Sequence, residues 1–195
     1  MTRRIAIIQG HPDPAGRHFC HALAEAYAAG AQAGGHELKT INVAEQDIPL
    51  LHDRAEWESA EVSPAIRANQ EVIAWADHLV IVYPLWLGSM PAMLKAFLEQ
   101  VLRPGFAFGP GPRAGMGKKL LKGKSARIVV TMGMPAFFYR LYYRAHSLKS
   151  LERNILAFLG IGPIRASLIG MAEGGDDARR EKWLQKLTRL GRQGC

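Results

Sequence analysis

Three short stretches of the chain carry residues whose types and spacing could do chemistry. In QGHPDPAGRHF, residues 9 to 19, two prolines stiffen the segment after His11, and Gly16-Arg17-His18 then runs into helix-like sequence. Backbone N–H groups at a helix N-terminus have no intrahelical partner and sit at the positive end of the helix dipole, so they attract an anion. The stretch has neither the GxGxxG of a dinucleotide site nor the GxxxxGK[ST] of a P-loop. It reads as a phosphate grip or as an ordinary connection. The second stretch, YPLWLGSM, residues 83 to 90, is large, apolar and uncharged, where connections are usually polar. It suits a wall for something flat and apolar, or packing of Trp86 and Leu87 under a neighbouring loop. The third, TMGMPAFFY, residues 131 to 139, can bring the Thr131 hydroxyl and the Gly133 N–H close to a planar ring, with Tyr139 as a wall or as an aromatic packed beside Phe137 and Phe138.

The elements that must position these stretches alternate along the chain. RIAIIQ (4 to 9), LVIVYP (79 to 84) and RIVVTMG (127 to 133) are continuous apolar runs, the pattern of strands buried on both faces in a parallel sheet. HELKTINV (36 to 43) alternates in strand fashion, and IRASLIG supplies a fifth strand. Helical sequence separates them. Ser63 and Pro64 form an N-cap followed by proline at the first helical position. Leu94, Phe97, Leu98, Val101 and Leu102 make one helical stripe, and Leu148, Leu151, Ile155 and Phe158 another, with Gly160 as its stop. A last helix opens at Asp176-Asp177 and turns Trp183, Leu187 and Leu190 inward. Strands alternating with helices predict an α/β fold: one doubly wound domain over residues 1 to 195, a five-stranded parallel sheet with helices on both faces. Residues 103 to 124 break the alternation. Their Gly, Pro and Lys content reads as a long loop insertion, ordered near Phe106 and Phe108 and mobile around Gly109 to Gly117.

Composition narrows the function classes. The chain has 195 residues, 48% of them hydrophobic and 22% charged, which is an ordinary globular balance. No window suits a membrane span and no apolar run at the start is long enough for a signal peptide, so the expected location is the cytoplasm. Cys20 and Cys195 lie far apart without metal-ligand spacing, which predicts no disulfide framework and no metal site. The net charge of +8 is concentrated between Glu99 and Glu152, where no acidic residue occurs. That field suits an anionic small molecule, an acidic surface or nucleic acid; the absence of zinc-finger spacing and RNP-type strands argues against the last.

Open parallel sheets bind ligands beyond the carboxyl ends of their strands, where strand order reverses. A phosphate grip and two ring-lining loops at those ends describe a flavin site. The segments GHPDP....F..AL, YPLWLGSMPAMLKAFLEQVLRPGFAF and VTMGMPAFFY resemble the flavin-contacting segments of the flavodoxin-like NAD(P)H:quinone oxidoreductases. The resemblance implies strand order 2-1-3-4-5, a homodimer, bound FAD or FMN, and two-electron, ping-pong reduction of a quinone-like acceptor by NAD(P)H; neither nucleic acid nor membrane insertion is expected, from the missing motifs and apolar windows noted above. By the same resemblance, His11, Arg17, His18, Phe19 and Cys20 meet the flavin phosphates. Pro84, Leu85, Trp86 and Leu87, with Thr131, Met132, Gly133 and Met134, line the ring and offer it backbone N–H groups. Tyr139 lines the hydride site, and a histidine a turn further on matches His146 with the spacing shifted by about one residue. Ala15-Gly16-Arg17 stands where many relatives carry Ser or Thr, Cys20 where Asn is common, and Leu87-Gly88 where bulky aromatics are frequent. Arg113, Lys118 and Lys119 are expected to attract the nicotinamide cofactor. A regulatory flavoprotein partner of the efflux-system type and a basic nucleic-acid-binding α/β protein are the alternatives.

Overall fold

The computed structural model describes residues 1 to 195 apart from Ala60, Ala114, Gly115 and Gly175, and the side chains of residues 110 to 116 are left aside. In chain order the elements are β1 (Arg4–Gln9), α1 (Phe19–Ala33), β2 (Glu37–Asn42), α2 (Arg54–Glu58), α3 (Pro64–Trp75), β3 (His78–Pro84), α4 (Ala92–Val101), β4 (Phe108–Arg113), β5 (Met116–Lys119), β6 (Ser125–Thr131), α5 (Ala136–Leu141), α6 (His146–Lys149), β7 (Ile164–Ile169) and α7 (Asp177–Arg192). A five-stranded sheet runs β2-β1-β3-β6-β7 and every pair in it is parallel. Counted along the sheet-forming strands alone, this is the expected 2-1-3-4-5 order.

Successive residues of a strand face opposite sides of the sheet. Ala6, Ile8, Leu79, Ile81, Ile128 and Val130 therefore pack into one core with Ile66, Ile73, Leu94 and Phe97 of α3 and α4. Ile5, Ile7, Val80, Val82, Val129 and Ile169 pack into another with Leu23, Tyr27 and Leu187 of α1 and α7. Burial on both faces is why those strands lack alternation. The Ser63 hydroxyl caps α3 by accepting from the Ile66 N–H, with Pro64 at the first helical position, as expected. Helices α1 and α7 touch through backbone: a Cβ added at Gly30 would lie 1.9 Å from the Thr188 carbonyl oxygen, and one at Gly191 would lie 2.0 Å from that of Tyr27.

The α1/α7 face of the sheet changes character toward its amino edge. His78 and Ser125 sit side by side in register, as do Arg127 and Arg165, all on this face, with Arg3 and Ser167 in step. Arg127 is 5% exposed, and its guanidinium donates to the Cys195 carbonyl at 2.7 Å and to the Ser167 hydroxyl at 3.0 Å. Arg3 donates to the Gly194 carbonyl at 2.9 Å. Both cations thus satisfy carbonyls just beyond α7, at the negative end of its dipole. Burial first, and then the nearby cations, push His78 down to about pH 4. The sign of the pH effect follows. An unfolded histidine takes a proton near pH 6.5, whereas the folded one stays neutral to about pH 4. Stability is therefore fully present above pH 6.5 and falls as pH drops from there to 4, by about 3 kcal/mol from this one group. Urea midpoints at pH 7 and pH 4.5 should show the loss, and His78→Gln should remove the share of it that belongs to this ring, that of His11 remaining.

Two expectations are corrected. Residues 103 to 124 are not irregular throughout: β4 and β5 pair antiparallel, with Phe108 opposite Lys119 and Arg113 opposite Met116. Ala107 and Leu121, both buried, anchor the two ends of this hairpin, and a short two-stranded ladder open to solvent tolerates the glycines and prolines. Ala114 and Gly115, within the span expected to be mobile, lie outside the described residues. The helical stripe after residue 146 also differs. From Ser150 to Ala157 the winding is π-helical, and Leu151 and Leu156 are buried while Phe158 is 44% exposed. A π-helix repeats more slowly than an α-helix, so the buried face advances by five residues where α-spacing calls for three or four.

Candidate functional site

At the carboxyl edge of the sheet, where chain order reverses between β1 and β3, lies a cleft of about 720 Å³. Its walls are the β1–α1 loop and first turns of α1 (His11 and Gly16 to Cys20, then Ala22 and Glu25), the ends of β3 (Pro84 to Trp86) and β6 (Thr131 to Gly133), and the approach to α7 (Ala172, Glu173, Arg180 and Leu184). The topology thus brings together all three stretches that carried chemical signals.

The β1–α1 loop is held by its own side chains. The Gln9 amide oxygen accepts from the His11 N–H at 3.0 Å, and Asp13 accepts from the Ala15 N–H at 2.9 Å. The Asp13 N–H donates to His11 Nδ1 at 3.1 Å, which leaves the ring proton of a neutral His11 on Nε2 as a donor. His11 is neutral at pH 7: burial and then the neighbouring His18 and His21 rings push it down to about pH 4. His18 stacks on His11 with ring centroids 3.9 Å apart and meets Asp13 Oδ2 at 2.6 Å, and Trp86 presents an edge to His11. At the start of α1, His18 makes no side-chain cap, and the N–H groups of Arg17, His18, Phe19 and Cys20 have no hydrogen-bond partner among the described residues. Orphan amides beside a neutral imidazole donor form a grip for phosphate oxygens.

The apolar loops are more selective than expected. The Leu85 N–H donates to the Thr131 carbonyl at 2.7 Å, Trp86 to Ser89 at 2.9 Å and Met132 to Ile169 at 2.9 Å. Those three amides, expected to serve a ring, are already bonded. The N–H groups of Leu87, Gly133 and Met134 have no partner among the described residues. Leu87 and Gly88 hold φ of 46° and 76° between Trp86 and Ser89, which exchange backbone hydrogen bonds. Positive φ at both central residues is the type I′ turn, unusual for leucine, and it leaves the Leu87 side chain fully in solvent rather than against the cleft. The Thr131 hydroxyl meets Cys20 Sγ at 3.1 Å and so ties β6 to α1. Burial pushes the Cys20 thiol up to about 12, which makes it an inert wall.

Tyr139 and His146 do not join the cleft wall. Tyr139 is 2% exposed, and its hydroxyl pairs with the Ser147 hydroxyl at 2.7 Å and accepts from the Leu148 N–H at 3.1 Å. It fastens α5 to α6 instead of facing an acceptor. His146 is exposed at the start of α6, and Met134 packs partly buried against the core. The basic region is also partly spent internally. Lys119 donates to the Ala157 carbonyl, Lys124 to the carbonyls of Ala74 and Ala76, and buried Arg103 to those of Glu56 and Glu61.

Sequence reasoning missed the α7 side of the cleft. Arg180 donates to the Ala172 carbonyl at 3.1 Å and lies over the Phe19 ring, while its Nε is buried without a partner. The signal was present in DDARR, where an arginine one turn into a capped helix shares a face with inward-turned Leu184 and Leu187.

Comparison with known proteins places this geometry among relatives. Residues 3 to 190 match the family described as a flavodoxin-like fold. A Haemophilus influenzae protein named as an NAD(P)H oxidoreductase is 27% identical over 183 residues, covering 92% of this chain and 89% of its own. In structure, the NAD(P)H:quinone oxidoreductase of Methanothermobacter marburgensis superposes with a TM-score of 0.84 at 22% identity, covering 99% of this chain and 97% of that one. An FMN-dependent NADH-azoreductase of Bacillus anthracis, solved with FMN, gives 0.74 at 18% identity and 99% coverage of both.

Proposed function

The chain belongs to the family of the flavodoxin-like fold, and from that premise we propose that it is a flavin-dependent NAD(P)H oxidoreductase acting on a quinone-like acceptor. The observation that carries the reading is the coincidence, in one cleft at the strand-order switch, of unpartnered α1 amides beside His11 with the apolar walls of Pro84 to Trp86 and Thr131 to Gly133. The residues fit a flavin: the donors of Arg17 to Cys20 suit phosphate, and the Gly133 and Met134 amides suit the polar edge of a ring. The cleft continues past the phosphate grip to Glu25, Arg180 and Leu184, which favours FAD over FMN.

A flavin held by the Arg17 to Cys20 amides and the Gly133 and Met134 amides would supply the redox chemistry, two-electron ping-pong transfer between NAD(P)H and the acceptor. The protein contributes position and field. Donors fixed before reaction stabilise developing negative charge without reorganising. His11, held by Asp13 and stacked under His18, keeps its Nε2 proton available to an oxyanion, and the Cys20–Thr131 contact holds the two halves of the cleft in register. A homodimer is part of the proposal: Phe137, Leu141 and Tyr142 stand exposed with the mutually packed rings of Phe138 and Tyr143, a larger apolar surface than scattered residues provide. So is a cytoplasmic location, and no described helix is long and apolar enough to cross a membrane.

The expected result is a yellow protein of dimer mass that releases flavin on heating and oxidises NADH or NADPH steadily with menadione. Bound flavin without turnover would move the reading to a regulatory flavoprotein. Colourless protein that takes up neither FMN nor FAD would overturn it.

A further inference from the structure

At the other end of the sheet from the flavin cleft, a cavity of about 420 Å³ opens at the amino edge, lined by Arg3, Asp77, His78, Ser125 and Arg165 among others. Its polar groups are unevenly satisfied. Carbonyls beyond α7 account for Arg3 and, just behind the cavity wall, for Arg127. Asp77, the one acidic side chain among the lining residues described, is held by Arg4 through three hydrogen bonds, two from the guanidinium at 2.7 and 3.2 Å and one from the backbone N–H at 3.0 Å. Ser125 meets His78 Nδ1 at 2.8 Å. Two side chains of the strands themselves are left. His78 Nε2 is buried with no partner in a side chain 98% removed from solvent, and the Arg165 guanidinium makes no hydrogen bond or ion pair with the described residues. A buried polar atom left unpaired costs free energy, so a group of this kind points to a missing partner.

From this pairing of an orphan imidazole nitrogen with an unengaged arginine we infer that the amino-edge cavity is a second binding site, for the oxyanion head of a small phosphorylated metabolite. The charge argues for an anion. Arg3, Arg127 and Arg165, the guanidinium groups around His78, all disfavour its protonation, so the field at the ring is positive. The carboxylate of Asp77 is committed to Arg4. In the tautomer whose Nδ1 accepts from the Ser125 hydroxyl, Nε2 carries the ring proton and donates to an oxyanion, while Arg165 offers a planar fork suited to phosphate oxygens. The size argues for more than an ion. A volume near 420 Å³ falls within the range of ordinary small-ligand pockets, at roughly 300 to 1,000 Å³. The site shares no residue with the flavin cleft, so its test stands or falls separately from the proposed redox activity.

The experiment uses the protein as purified, with its histidine rings labelled with ¹⁵N, titrated at constant ionic strength with inorganic phosphate and, separately, with glycerol phosphate. The expected result is a saturable shift of the His78 Nε2 resonance with both probes, tighter for the ester. Arg165→Gln, an exposed change that should leave the melting temperature where it was, is expected to weaken binding about tenfold or more, the usual consequence of losing a charged hydrogen bond. Saturation by inorganic phosphate with no gain for the ester would restrict the site to the free ion and overturn the metabolite assignment. No His78 shift at about 10 mM of either probe, a concentration that detects dissociation constants in the millimolar range, or an equal shift in Arg165→Gln, would overturn the site itself.

Discussion

Replacing Gly133 with leucine is expected to abolish flavin retention while leaving the apoprotein as stable as the parent. Gly133 lies in the cleft wall just after β6, and its N–H is one of the few loop amides without a partner among the described residues. The nearest atoms to a Cβ built there belong to the exposed Glu173 carboxyl, at 3.8 Å, and no core side chain comes within 4 Å. A leucine can therefore grow only into the cleft or toward solvent. Filling space that a rigid ring must occupy forces a shift of loop or ligand, a cost of about 3 kcal/mol or more, which is at least a hundredfold in affinity. Flavin titration by fluorescence, with melting curves of the apoprotein, separates the two effects. Full retention in the variant would remove the ring from this wall.

The second large effect is on stability. Gly30→Ala is expected to lower the melting temperature by about 6 to 12 °C, the equivalent of roughly 3 kcal/mol for a chain of this size. Alanine in place of glycine within a helix ordinarily stabilises by about 1 kcal/mol. Here the new Cβ would meet the Thr188 carbonyl oxygen at 1.9 Å, and that atom is backbone, which cannot rotate away. Helix α7 must move off α1, opening the core around Tyr27 and Leu187. The clash outweighs the propensity gain. Gly191→Ala breaks the same contact from the other side, where its Cβ would meet the Tyr27 carbonyl, so the double variant should lose less than the sum of the two. An unchanged melting temperature in Gly30→Ala would mean that the helices are not packed this closely.

The sheet was legible because its strands are buried on both faces, and continuous runs such as Leu79 to Val82 have no other economical use. Ser63-Pro64 marked α3 because capping is local chemistry. What depended on tertiary context was not legible. The π-helical winding from Ser150 to Ala157 rotates Leu156 inward in place of Ile155 and Phe158, and α-periodicity has no means of anticipating it. Leu87 is expected at the ring both from its apolar type and from the resemblance, but the turn it occupies aims it at solvent. Tyr139 carried the right chemistry for a donor, yet Ser147 and the Leu148 amide lay within reach of its hydroxyl. The cleft's location followed from topology, whereas its α7 wall did not, because Arg180 reaches it only through the packing of the last helix on the first.

That packing also has a consequence in time. The cleft borrows walls from both α1 and α7, elements separated by most of the chain and brought together by glycine-mediated contact. During synthesis, the phosphate grip and both ring loops are complete once β6 has emerged, but the Arg180 and Leu184 side exists only after α7 has been made and has docked. A nascent chain without α7 thus has half a pocket, and the proposed hold on a flavin waits on the docking of α7 against α1.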